Sequence, residues 1–100
     1  MEEWLFMLLG EAVAQQATGF RPGARHAIMV FLTAPDQDTA RRRAKDVLNK
    51  CHWSEGAVTR IKHLLDPDLI EDDILRSAAE TALLQGDAIV VYKDELRHDG

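Results

Sequence analysis

Two carboxylates stand close together in Asp36-Gln37-Asp38, just beyond the largely apolar run from His26 to Thr33. Carboxylates at the carboxyl end of a strand are where α/β proteins gather chemistry. A pair of them can divide nucleophilic and proton-transfer work beside a divalent cation. The competing role is structural, because an Asp ahead of a helical segment accepts a hydrogen bond from the helix's first free N–H groups. Pro35 separates the pair from the strand, and the residues after it have helical periodicity. Both features favour capping.

With Thr39 following, Asp36-Gln37-Asp38-Thr39 resembles the DxD-T signature of haloacid-dehalogenase-like phosphatases. The resemblance implies that Asp36 would attack phosphorus and Asp38 would handle the leaving-group proton, both near Mg²⁺. It covers four residues, and the chain is short for the rest of that fold. Phosphoryl transfer through Asp36 and Asp38 therefore stands as an alternative to a non-catalytic reading.

Cys51-His52 and the distant His63 are the other candidates for nucleophilic or metal chemistry. Adjacent helical residues point about 100° apart, so Cys51 and His52 do not pair readily. Cys51 also continues an apolar helical stripe, where a free thiol acts as a small hydrophobe. Zinc needs three or four ligands, and no CxxC or HxxxH spacing supplies them. His26 and His98 read as surface or strand-end residues, and Trp53 as a core lid in a loop. No cofactor or metal is expected, and no residue is assigned a catalytic role.

The charges suggest binding instead. The chain carries a net charge of −5, spread unevenly: residues 1–20 hold three acids and no Lys or Arg, residues 21–63 are net +5, and residues 64–100 are net −7. Arg41, Arg42, Arg43 and Lys45 form a basic helix turn, with Arg60 and Lys62 further on. Asp66, Asp68, Glu71, Asp72 and Asp73 gather at the start of a later helix, where the helix dipole favours acids. Arg42, Lys45, Arg60, Lys62, Asp72 and Asp73 are the residues expected to contact a partner. The acidic last third would dock a basic protein. Nucleic-acid binding through residues 41–45 is a weaker alternative: the chain is acidic and lacks interleaved aromatic residues.

The elements that would carry these residues read as α-β-α-β-α-β. Leu5, Leu9 and Val13 recur at spacing four, which predicts a helix over 2–17, with a strand over Trp4 to Leu9 as the alternative. His26 to Thr33 is apolar on both alternating faces, as in a central strand covered on both sides. Ala40, Ala44, Val47, Leu48 and Cys51 stripe a helix from about Gln37 to Cys51. Ser54 to Gly56 is then a break, and Ala57 to Leu64 a charged edge strand. Asp68 and Glu71 open a second crossover helix that ends at Gly86, and Ala88 to Lys93 is the last strand.

The expected fold is a small α/β (or α+β) domain over 1–100. Its three-stranded sheet has the 26–33 strand at the centre, two crossover helices and an N-terminal helix, with a frayed polar tail from about 94. A ferredoxin-like plait variant is the alternative. The greasy circumference of the N-terminal segment suggests a homodimer through it. A lone cysteine and the absence of a twenty-residue apolar run point to a cytoplasmic protein with no membrane contact.

Overall fold

The computed structural model describes residues 2–96. Strand β1 (Trp4–Ala14) opens the chain and pairs with β2 (Arg25–Ala34) through a loop that contains a single 3₁₀ turn. Helix α1 (Gln37–Lys50) leads to β3 (Trp53–Leu64), and helix α2 (Asp73–Gln85) leads to β4 (Asp87–Glu95). The sheet order is β3-β1-β2-β4, and every neighbouring pair is antiparallel.

This corrects the expected architecture. The N-terminal segment is an inner strand and not a helix, so the described residues form a sheet of four strands and two α-helices. Strands β2 and β3 run parallel with β1 between them, and α1 bridges that gap. The arrangement is an α+β fold with element order ββαβαβ along the chain, which excludes both the three-stranded sheet and the plait variant. The two helices also lie on opposite faces. Phe6, Leu8, Ile28, Val30 and Leu32 bury one sheet face against Ala40, Ala44, Val47 and Leu48 of α1. Leu5, Met29 and Phe31 bury the other against Ala79 and Ala82 of α2. The alternating residues of β1 and β2 therefore feed two cores. Small alanines on both helices let their backbones approach the sheet closely.

Of the apolar residues 4–9 that suggested a dimer, Leu5, Phe6 and Leu8 are buried and both edges of β1 are paired, while Trp4 is 46% exposed and Met7 and Leu9 are half-buried. Two boundaries also move. The expected break at Ser54–Gly56 lies inside β3, where the register against β1 shifts and Glu55 takes a positive φ of 52°. The chain instead turns at Cys51–His52, with His52 at φ 68°. Asp94 and Glu95, expected in the tail, extend β4, while residues 97–100 of that tail, His98 among them, lie outside the described residues.

Candidate functional site

Helix α2 packs on its sheet face against β4, β2 and part of β1, and leaves the β1–β3 side of that face open. Met7, Leu9 and Met29 floor the gap. The β1–β3 register places Arg60 beside Leu9 and Lys62 beside Met7, so both cations stand on this face. Arg41, from the first turns of α1, reaches the β3 edge and completes the rim of a groove of about 600 Å³. Three cations and no acid line this part of the groove. None of the three makes an ion pair among the described residues, whereas Arg21, Arg43 and Arg76 are paired with Glu95, Glu3 and Asp73.

The groove continues past Met7 and Lys62 into a second stretch of about 560 Å³ between β3 and the start of α2. Its apolar side is Leu64, Leu65, Leu69, Ile70 and Leu75, and its acids are Asp66, Glu71 and Asp72. Leu65 and Leu69 are 83% and 73% exposed, a large apolar surface to leave in water. The channel thus has a basic end, an apolar floor and an acidic end.

The expected partner-binding residues divide across this geometry. Arg60, Lys62 and Asp72 line the one channel. Arg42 and Lys45 are exposed on α1, on the opposite side of the sheet, and Arg42 is drawn to Thr39 Oγ1 at 3.3 Å. Asp73 is paired with Arg76. The acidic cluster is partly consumed by the backbone: Asp66 accepts from Asp68 N–H at 2.9 Å and Asp72 from Leu75 N–H at 2.9 Å. Composition gives no sign of Met7, Leu9, Met29 and Arg41 as groove residues, because what leaves them along the groove is the packing of α2 on β4 and β2 more than on β1.

The residues that promised chemistry are not brought together. Asp36 is the N-cap of α1 and accepts from Thr39 N–H at 2.7 Å. That bond, helped by the Thr39 hydroxyl and the nearby Arg42 and Arg43, holds its carboxyl below the usual range. Neither Asp36 nor Asp38 lines any of the five principal cavities. Cys51 caps α1 and packs against the α1-side core. His52 and His63 sit at opposite ends of β3, roughly 35 Å apart by strand rise. Among the described residues no group of three or more His, Cys, Asp or Glu is gathered as for a metal ion.

His26 differs most from its expected surface position. It is 1% exposed, its Nδ1 lies 2.8 Å from the Tyr92 carbonyl, and its ring packs on Phe20 and Trp53 at 4.7 and 5.6 Å. Trp53, expected in a loop, opens β3 and is itself buried.

No family model, curated protein or solved structure matches this chain. The site therefore stands on its own geometry. No helix among the described residues is long and apolar enough to cross a membrane.

Proposed function

We propose that this chain is a non-catalytic binding module that holds an amphipathic peptide segment of a partner protein in the channel between β3 and α2. The observation that carries this reading is the apolar floor of half-buried Met7 and Leu9, with buried Met29 beneath them, under three cations that have no ion-pair partner among the described residues. An anionic segment bearing apolar side chains satisfies both features at once. Methionines suit the task, since their flexible thioethers repack around different side chains. The acids at the far end fix the direction of the segment, with its acidic end over Arg60 and a basic end over Glu71 and Asp72. A nucleic acid fits less well: the floor offers no aromatic face for a base to stack on.

Selection from a random peptide display library tests the proposal. The parent protein is expected to enrich peptides with clustered Asp or Glu at one end and Leu, Met or Phe beside them. Arg60→Glu with Lys62→Glu should weaken the selected peptides by at least about tenfold, an effect that shrinks with added salt. Glu71→Lys should shift enrichment away from basic residues at the other end. Selection of uncharged peptides, or of acidic peptides indifferent to Arg60→Glu and Lys62→Glu, would remove this reading. So would tighter binding of labelled single-stranded DNA than of any selected peptide.

A further inference from the structure

The two edges of the sheet are built differently. Edge strand β3 breaks register twice against β1 and exposes Glu55, Arg60, Lys62 and His63. Bulges and outward charges of this kind stop a strand from pairing with another chain. Edge strand β4 has neither device between Ala88 and Val91, and its register break against β2 falls beyond Val91, before Glu95. Ala88, Ile89, Val90 and Val91 run without a charge or proline, their register against β2 is unbroken, and all four are only partly buried. Ile89 and Val91 join the α1-side core while Ala88 and Val90 join the α2-side core. A strand apolar on both faces has the pattern of an inner strand, yet no strand lies beyond β4 among the described residues.

We propose that β4 pairs antiparallel with β4 of a second copy, making one continuous eight-stranded sheet about a two-fold axis at Val90. Backbone geometry permits it. Thr33 N–H donates to Gly86 O at 3.2 Å, so the alternation of an antiparallel ladder turns the even residues of β4 toward β2. The odd residues, Ile89 and Val91 among them, present their N–H and C=O groups outward. A ladder centred on Val90 sets Ile89 opposite Val91 of the second copy as a hydrogen-bonded pair, and Ala88 opposite Tyr92. It also brings Asp87 of each copy near Lys93 of the other, just past Val91 where the register of β4 against β2 shifts. The strand is thus self-complementary in charge as well as in apolar pattern, and this selects a second copy over an unrelated strand. The two-fold axis is perpendicular to the sheet, so both α2 helices fall on one face. There Ile74, 68% exposed beside Val90 and Tyr92, gains cover along the seam. The basic end of the channel, on β3, lies on the far side of each copy, whereas Asp72 and Leu75 line both its acidic end and the cavity beside Ile74 at the seam.

Sedimentation over a range of concentrations, with two kinds of variant, tests the proposal. The parent protein is expected to move from 11.2 kDa to twice that mass as concentration rises. Asp87→Lys alone, or Lys93→Glu alone, turns attractive cross-strand pairs into repulsive ones and should raise the dimer dissociation constant by about tenfold. The double exchange should restore it. Val90→Cys in a Cys51→Ser background should form a disulfide-linked dimer on mild oxidation, because non-hydrogen-bonded partners across an antiparallel ladder stand close enough for a disulfide. A monomer at every concentration would overturn the proposal. So would a dimer that is indifferent to both charge reversals and gives no Val90 cross-link.

Discussion

Gly10 shows how one missing Cβ shapes an edge. It sits in β1 where the register against β3 shifts, and a Cβ there would stand 2.7 Å from the Ala57 carbonyl oxygen. That oxygen belongs to the backbone and cannot rotate away. The constraint is close approach, since Gly10 has an ordinary strand φ. Gly10→Ala must push β3 outward just above the stretch that carries Arg60 and Lys62. The expected cost is about 1–3 kcal/mol, typical of overpacking, read as a lower urea midpoint with an unchanged slope. A midpoint within error of the parent would mean that β3 yields freely there. At Asp36 the sequence shows role as well as residue type, whereas at His26 it shows type alone. The capping of Asp36 was legible from its place ahead of the α1 stripe. The burial of His26 was not, because it depends on Phe20 and Trp53 folding over the ring from two other elements.

Where an element begins is a testable matter for α2. Asp68 followed by Glu71 reads as a helix start, but Asp66 and Pro67 close a short 3₁₀ turn over Pro67–Leu69 and Ile70 is extended. The helix begins at Asp73, with Asp72 accepting from Leu75 N–H. Asp72→Ala should therefore cost about 1 kcal/mol, with Asp72→Ser recovering most of it, while Asp68→Ala should be nearly silent. Thermal melts of the three variants decide between the two starts, and the reverse ranking would place the cap at Asp68. The larger misreading, of β1 as a helix, has a physical cause. Leu5, Leu9 and Val13 are spaced by four, and four is a multiple of both the helical turn and the strand's two-residue alternation. Alternation itself disappears when both faces of a strand are buried, as Phe6 and Leu8 are opposite Leu5. The same double burial made β2 legible, because its β-branched and aromatic residues left no helical reading. The turn at Cys51–His52 went unseen because it uses a non-glycine residue at positive φ, while Gly56 marks an irregularity within β3.

Taken whole, the molecule has two cores divided by one sheet, and its stability is shared through β1 and β2. These inner strands contribute to both cores, so neither core can open without disturbing the other. Native-state hydrogen exchange should find the slowest amides in β1 and β2, and faster exchange in β3. Leu8 is fully buried on the α1 side, and Leu8→Ala should cost roughly 2–5 kcal/mol. If the sheet couples the layers, that truncation accelerates the slowest amides of α2, around Ala79 and Ala82, by the same factor as those of α1, although Leu8 packs with the other core. Acceleration confined to α1 and its face would mean that the two layers open independently. The outward amides of Ile89 and Val91 behave differently. They have no partner among the described residues, so they are expected to exchange quickly in a dilute monomer and to slow with rising concentration once β4 is paired. The same exchange map thus separates protection that comes from the two cores from protection that a second copy supplies. Protection of Ile89 and Val91 that does not change with concentration would place their partner within the chain itself.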